Sequence, residues 1–202
     1  MSFQYVIDNA ETLQVNTAKI VASTQARDGT VRSVSRGGQV WTFTVKLPDG
    51  PRYSDERKDI ARIAALDRVA NANIQVNTAG QSYIYGYQGN AANTSAVTAS
   101  WTTGNTITLT GGQAGSGYNF RAGDILQLGT TGKVYQVVAD VAAGNNTVTL
   151  NRALIDSAGN ATLRIGTACT WNVICTQLPD WTVFGYDQVQ WSGPFVFVEN
   201  LA

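Results

Sequence analysis

The sequence predicts a mainly β protein in which both chain ends form a β-sandwich or barrel with one α-helix and the middle forms an inserted small β domain. Many short runs alternate apolar and polar residues, whereas only one segment has helical periodicity. Tryptophan is concentrated near the two chain ends, and the middle is rich in Gly, Thr, Asn and Ala. This distribution suggests that the two ends share one core. The tryptophans near the ends are Trp41, Trp171, Trp181 and Trp191.

The clearest strand in the first part of the chain is WTFTVKL, residues 41–47. Strict alternation places apolar side chains on one face and Thr or Lys on the other, which predicts a half-buried strand. The shorter run VRSVS, residues 31–35, lies between the turn sequences RDGT and RGGQ, so a β-meander is expected before WTFTVKL. The apolar face consists of Trp41, Phe43, Val45 and Leu47.

The only strong helix signal follows the turn LPDGPRY and covers about residues 54–70. Ser54 is expected to cap the helix, and Asp55 and Glu56 lie in the first turn, where the helix dipole favours acidic groups. Its charged side chains are most simply a solvated face. The apolar stripe consists of Ile60, Ile63, Ala64 and Leu66.

A composition change near Thr78–Gln81 predicts a domain boundary, because most charged side chains lie before residue 80. We expect an assembly domain of residues 1–80 and 166–202 and an inserted domain of residues 81–165. The inserted part reads as short strands bounded by turn residues, as in a small sandwich or barrel. The predicted strands are NTITLTG, GDILQLG, KVYQVVADV, NTVTLNRAL and ATLRIG, with GTTG making a hairpin turn between the second and third.

A row of tyrosines, Tyr83, Tyr85 and Tyr87, has the spacing of one face of an extended strand. Together with Trp101, these residues are candidates for glycan or subunit contact. Aromatic rings can stack on sugars, but tyrosine also commonly fills half-buried strand faces, and the latter is the simpler interpretation. The alternation alone leaves both readings open.

The glycine-rich stretch GGQAGSGYNFRAGD, residues 111–124, raises the question of a phosphate-binding loop. It lacks the Lys and Ser or Thr of a P-loop, and the residues after it predict a strand pair and not a helix N-terminus. We therefore expect a surface connection between NTITLT and DILQLG.

The composition removes several classes of function. The 14 basic and 14 acidic residues give zero net charge, which argues against nucleic-acid binding. The absence of histidine removes the commonest general base and the usual zinc sites, and no calcium-loop motif occurs. We predict no enzymatic activity, no metal and no cofactor. The remaining hydrolase chemistry would need a carboxylate pair, for which the candidates, all in turn contexts, are Asp124, Asp140, Asp180 and Asp187.

The two cysteines, Cys169 and Cys175, lie in CTWNVIC, which reads as one strand. Six residues of strand span about 20 Å, so a disulfide between them is not possible there, and we expect buried, reduced thiols. The chain has no run long enough to cross a membrane, and its start lacks the pattern of a signal peptide. Neither membrane insertion nor secretion is therefore expected.

Four stretches carry a resemblance to a known family: RSVSRGGQVWTFTVKLPDG, ERKDIARIAALDR, FRAGDILQLGTTGKVYQV and DQVQWSGPFVFVENL. Together they resemble tail proteins of long-tailed bacteriophages, most closely the distal tail protein or a related minor tail or baseplate protein. The resemblance implies a β-sandwich or barrel with one helix, made from both chain ends. It also implies that the inserted domain is a barrel of the oligonucleotide/oligosaccharide-binding (OB) type.

The functional expectation from this resemblance is a structural virion protein of the tail tip, assembled in the host cytoplasm. Such proteins form rings, expected here to be hexameric, that join the tail tube to tip or baseplate hub proteins and carry receptor-binding or fibre proteins. The alternative is a carbohydrate-binding module that contacts host surface glycans. A hydrolase is the third reading.

Overall fold

The computed structural model describes residues 3–17, 19–66, 70–77, 82–89, 97–110 and 117–201. The first part of the chain contains α1 (Gln4–Asp8), β1 (Thr12–Asn16), β2 (Lys19–Gln25), β3 (Val31–Gln39), β4 (Thr42–Lys46), α2 (Tyr53–Ala64) and β5 (Ala72–Ile74). The middle contains β6 (Thr98–Trp101), β7 (Thr106–Thr110), β8 (Tyr118–Phe120), β9 (Ile125–Leu128), β10 (Val134–Gln136), β11 (Val141–Ala142), β12 (Thr147–Thr149) and β13 (Gly159–Ile165). The last part contains β14 (Trp171–Gln177), β15 (Trp181–Phe184), β16 (Gln188–Trp191) and β17 (Phe195–Glu199).

The predicted mainly β class is confirmed, but the prediction of a single α-helix is wrong. The described residues contain a second helix, the five-residue α1, in which Val6 and Ile7 are buried. A helix of this length spans little more than one turn, so its sequence is too short to show an apolar period.

One sheet combines strands from both ends of the chain, in the order β1-β4-β17-β14-β5. The pairing of β17 with β4 is antiparallel and places Phe197 opposite Phe43. The alternation predicted for WTFTVKL is confirmed, because its four apolar residues are all buried. Beside this sheet, β2 pairs with β3 and β15 pairs with β16 in separate two-stranded sheets.

The chain divides into two compact units. Unit one contains Asn9–Ala72 and Val173–Ala202, and unit two contains Ser2–Asp8 and Asn73–Asn172.

The middle region is built on a sheet with the order β10-β9-β13-β6-β7-β12. This sheet curls into a half-barrel. Its two outer strands approach one another at a bridge between Val137 and Leu150, and the Val138 N–H donates to the Thr149 carbonyl at 3.1 Å. The curl encloses a core that includes Phe120, Leu126 and Tyr135.

Helix α2 begins near the predicted position but is not capped by Ser54. The N-cap residue is Arg52, which makes no side-chain capping bond, and Ser54 lies inside the first turn. The first-turn N–H groups are instead accepted by Asp187, whose carbonyl binds the Tyr53 N–H at 2.7 Å and whose Oδ2 binds the Ser54 N–H at 3.3 Å. A residue distant in sequence thus replaces the local cap. Helix α2 ends at Ala64, earlier than predicted, and residues 67–69 lie outside the described part.

The glycine-rich stretch is a connection between strands, as predicted, and is followed by β9 and not by a helix. Residues 111–116 lie outside the described part of the chain. Within the described part, the stretch contains the short strand β8, and Gly123 has a φ of 100°, a conformation that glycine adopts without strain.

Both cysteines are free and buried, so the prediction of buried thiols is confirmed. Their placement on one strand is wrong, because β14 starts at Trp171 and Cys169 precedes it, at the end of a 3₁₀ turn (Gly166–Ala168). The Cys169 thiol donates to the Arg164 carbonyl at 3.4 Å, and burial raises the pKa of this thiol. The thiol is therefore held in its protonated form.

Candidate functional site

The tyrosine row predicted from sequence does not form a strand face. Ser82–Tyr85 is a 3₁₀ helix, in which residues two positions apart do not point in one direction. Tyr85 is 7% exposed and packs against Trp171, with ring centroids 5.1 Å apart. Burial raises the pKa of the Tyr85 hydroxyl. Tyr85 is thus part of the core of unit two.

The other two tyrosines of the predicted row are Tyr83 and Tyr87. Tyr87 is half-buried, with its ring edge-on to Phe120 at a centroid distance of 5.8 Å, and its hydroxyl donates to the Asn119 carbonyl. These contacts direct the Tyr87 side chain into the protein. The side chain of Tyr83 lies outside the described part. A role of these tyrosines in glycan or subunit contact stays a prediction.

Trp101 lies at the end of β6 and lines an open groove of about 490 Å³. Its indole N–H donates to the Ser157 carbonyl at 2.7 Å. In the sheet register Trp101 is paired with Gly159, where an added Cβ would lie 3.2 Å from the indole ring. The ring therefore lies close over the neighbouring backbone. The other lining residues belong to the 128–131 and 157–162 segments.

Asp156 connects the two segments that border this groove. Its carboxylate accepts the backbone N–H of Lys133, with Oδ2 at 3.0 Å, and the hydroxyl of Tyr135 at 2.8 Å. The same hydroxyl accepts the N–H of Ile155 at 2.9 Å. Burial raises the pKa of Tyr135 to about 12, so its hydroxyl remains a proton donor. This network was not predicted from the sequence, because Tyr135 and Asp156 lie on different elements.

Asp124 and Asp140 are the two carboxylate candidates that the structure brings near one another. Asp124 is 2% exposed, and its oxygens accept the N–H groups of Gln88 at 2.9 Å and Arg121 at 2.7 Å. Asp140 accepts the Ala122 N–H at 2.9 Å and pairs with the Arg121 guanidinium at 3.0 Å. Both carboxylates thus hold the turn that precedes β9.

The two carboxyl groups have opposite pKa shifts. Burial raises the pKa of Asp124, and the negative charge of Asp140 adds to this shift. The Ala122 N–H, together with Arg121, lowers the pKa of Asp140. Diverging carboxyl pKa values also occur in acid-base catalysis. A buried Asp124 with both oxygens bound to backbone N–H groups cannot reach a substrate, and these contacts favour a structural role.

Of the remaining candidates, Asp187 uses one carboxylate oxygen to accept the Ser54 N–H at the start of α2. Asp180 is exposed, and its backbone carbonyl accepts the Ser192 N–H at 2.8 Å. Within the described residues, no group of three or more Cys, Asp or Glu side chains is placed to hold a metal ion. A membrane-spanning helix is likewise not found in the part of the chain that the structure describes.

The most exposed apolar surface among the described residues is the hairpin formed by β15 and β16, residues 181–191, here called the aromatic hairpin. Every residue of β15 is exposed, and Tyr186 at the tip is fully exposed. Tyr186 and Asp187 have φ angles of 60° and 68°, which non-glycine residues adopt at a cost. The exposed apolar side chains of the hairpin are Trp181, Val183, Phe184 and Tyr186.

The tip of the aromatic hairpin is held by the segment before α2. Besides the two bonds from the start of α2 to Asp187, the N–H of Gly50 donates to Val189 and the N–H of Val189 donates to Pro51, both at 2.9 Å. The ring of Trp181 stacks on Tyr53 with centroids 5.5 Å apart. The apolar side chains are thus displayed on a supported backbone. The aromatic density of this region is evident in the sequence, but its exposure was not predicted.

Comparison with known proteins gives one family. Residues 83–154 match the model of the B domain of distal tail protein pb9. The match covers 72 of the 202 residues, and its family is the one that the sequence resembles, so the resemblance is confirmed for this part of the chain. The family is a structural tail protein, which is consistent with the expectation of a non-enzyme. No curated protein matches the chain.

Proposed function

Because residues 83–154 match the B domain of a phage distal tail protein, we propose that this chain is a structural protein of a phage tail tip. The match is the observation that carries the proposal. In its finer form, the chain builds a hexameric ring that joins the tail tube to tip or baseplate hub proteins and carries receptor-binding or fibre proteins. It is assembled in the host cytoplasm and becomes part of the virion.

In this proposal, the domain made from the chain ends forms the ring, and the middle domain decorates it. The antiparallel pairing of β4 with β17 supports a domain made from both chain ends, because strands from both ends share one sheet. The bridge between Val137 and Leu150 supports a closed small barrel of the OB type in the middle domain. The proposed domains are residues 1–80 with 166–202, and residues 81–165.

The aromatic hairpin supplies a surface suited to ring contacts. Adjacent exposed apolar side chains typically mark an interaction site, and Phe184 is 45% exposed beside the fully exposed Tyr186. Among the described residues, β15 pairs only with β16, so its outer edge can add a strand from a neighbour. Zero net charge limits repulsion between the many copies that a ring brings together.

Labelling of phage particles tests the location. Gold-conjugated antibody raised against the purified chain is expected to mark the distal end of the tail in electron micrographs. Antibody against the major tail tube protein serves as the control, since it should mark the whole tail or its exposed surface. Label confined to the capsid, or absence of the chain from purified particles by mass spectrometry, contradicts the proposal.

The mass in solution tests the ring. Light scattering at increasing protein concentration is expected to show a species of about six times the 21.6 kDa chain mass. Phe184→Asp places a charge on the aromatic hairpin and should shift this species to the monomer. Val138→Asp is the matched control, because Val138 is also exposed but lies outside the hairpin. If both variants assemble as the unmodified chain does, the hairpin is not the ring contact.

A further inference from the structure

None of the side chains that line the Trp101 groove is charged. It combines one aromatic ring with hydroxyl and amide groups, among them those of Thr130, Thr131, Asn160 and Thr162. A phosphate or nucleic-acid ligand would find no basic side chain there. A purely apolar partner would leave the hydroxyl and amide groups without hydrogen bonds.

These polar groups are available to a ligand. The side chains of Thr130, Thr131, Asn160 and Thr162 are exposed and make no hydrogen bond to another residue in the described part of the chain. Binding a ligand through them therefore breaks no internal bond. Each can both donate and accept, which matches the hydroxyl groups of a sugar.

The aromatic ring is held in place before any ligand arrives. The bond from the indole N–H to Ser157 sets the orientation of Trp101, and the absence of a side chain at Gly159 lets the ring lie against the backbone. A fixed ring loses little conformational entropy when a ligand stacks on it. One face of a pyranose ring presents C–H groups, and an aromatic face is its usual partner.

The groove walls are also fixed relative to one another. Asp156 joins the 155–157 loop to the Lys133 backbone, as described above. On the other side, the buried Gln127 side chain donates to the Gly132 carbonyl at 2.8 Å and to the Thr170 carbonyl at 3.0 Å. The C-terminal end of the turn after β9, residues 132 and 133, is thereby held from two sides. The volume of about 490 Å³ lies within the range of small-molecule sites.

From this arrangement we propose that the Trp101 groove binds an uncharged oligosaccharide, with one sugar ring stacked on Trp101 and its hydroxyls bound by Thr131 and Asn160. The groove belongs wholly to unit two, so binding does not depend on ring assembly. The proposal moves the stacking surface away from Tyr85 and Tyr87, whose rings pack internally, to Trp101 alone. The neighbouring threonines at 130 and 162 extend the polar surface along the groove.

Binding can be tested with the full chain and a glycan array that carries neutral hexose and N-acetylhexosamine oligosaccharides beside sialylated and phosphorylated ones. Saturable binding of at least one neutral glycan is expected, and a positive glycan is then measured by titration calorimetry. Absence of binding to every neutral glycan at about 10 mM in saturation-transfer NMR overturns the proposal. Binding of only the charged glycans overturns it as well.

Variants locate the site. Trp101→Ala should weaken binding about tenfold or more, whereas Trp101→Phe keeps an aromatic face and should restore most of the affinity. Asn160→Ala removes one exposed amide and should weaken binding with no change in thermal unfolding, which covers the case in which Trp101→Ala does not fold. Val138→Ala, a change of an exposed side chain of unit two outside the groove, is the matched control. Unchanged affinity in both groove variants assigns binding to another surface and overturns the proposal.

Discussion

The segment of residues 82–88 and the aromatic hairpin both carry aromatic residues two positions apart, yet the structure buries Tyr85 in the first and exposes Tyr186 in the second. Tyr85 is 7% exposed, whereas Tyr186 is 100% exposed. Segment 82–88 begins as a 3₁₀ helix in which the Tyr85 ring packs against Trp171, while β15 and β16 form a two-stranded sheet of their own. Aromatic spacing thus describes a local pattern, whereas exposure depends on which other elements cover the residue.

The largest difference in stability should separate a variant that lacks the Tyr85 ring from one that lacks the Tyr186 ring. Tyr85→Ala is expected to lower the free energy of unfolding by about 3–5 kcal/mol, because it leaves a cavity next to Trp171. Tyr186→Ala should change it by less than about 0.5 kcal/mol, because the ring touches solvent only. Urea unfolding followed by circular dichroism measures both. Equal losses would mean that the contrast in burial has no energetic counterpart.

A second difference concerns two glycines: Gly166, which lies against Tyr85, and Gly185, which precedes Tyr186 in the hairpin. Gly166 has a φ of 59°, and an added Cβ would lie 2.8 Å from the Tyr85 carbonyl oxygen. Gly166→Ala should therefore cost about 2 kcal/mol of unfolding free energy. At Gly185 in the aromatic hairpin an added Cβ has no atom within 4 Å, so Gly185→Ala is the matched control and should be nearly neutral. A Gly166→Ala protein as stable as this control would contradict the packing described for Tyr85.

The support of the hairpin tip can be weakened at Asp187. Asp187→Ala removes the acceptor of the Ser54 N–H and places alanine at a φ of 68°, so we expect a loss of about 1 kcal/mol. Asp187→Gly also removes the carboxylate but relieves the backbone, and its loss should be only a few tenths of a kcal/mol. Thermal unfolding distinguishes the two variants. If glycine is as damaging as alanine or more so, the positive φ at position 187 stores no strain, and the prediction is contradicted.

The smallest effect concerns Asp124, which anchors the end of segment 82–88 through the Gln88 N–H. Its folded pKa is raised above the ordinary 3.8, so its contribution to stability is present below that value and is lost as pH rises through the folded pKa. Asp140 has a lowered folded pKa, so its contribution is present above 3.8 and is lost as pH falls through the folded pKa.

Carboxyl-carbon NMR titration should therefore show Asp124 losing its proton at higher pH than Asp140. Asp140→Asn should move the Asp124 titration to lower pH, because it removes a neighbouring negative charge. Asp8→Asn, a change on α1, serves as the control and should leave Asp124 unmoved. The reverse order of titration would show that the backbone N–H donors outweigh burial at Asp124.

Sequence patterns predicted the structure correctly where alternate residues of a strand face the same environment. The strand WTFTVKL and the hairpin GDILQLGTTGKVYQVV form as predicted, because alternation and the GTTG turn specify direction and register locally. The predicted Ser54 cap of α2 was wrong because Asp187, which is distant in sequence, accepts the N–H groups at the start of the helix. The candidate site also depends on distant residues. Trp101 was identified from its residue type, but the groove around it is formed by segments about thirty and sixty residues away in sequence.

The amino-acid sequence by itself determined the mainly β class, the main helix, the absence of histidine chemistry and the resemblance to phage distal tail proteins. These features depend on composition, on short-range periodicity and on characteristic stretches of chain. Only the tertiary structure decided that Tyr85 is core, that the 181–191 hairpin is surface and that Trp101 borders a groove. Exposure is the physical reason, because it is a property of all the elements packed around a residue, and a pattern confined to one element contains no information about them.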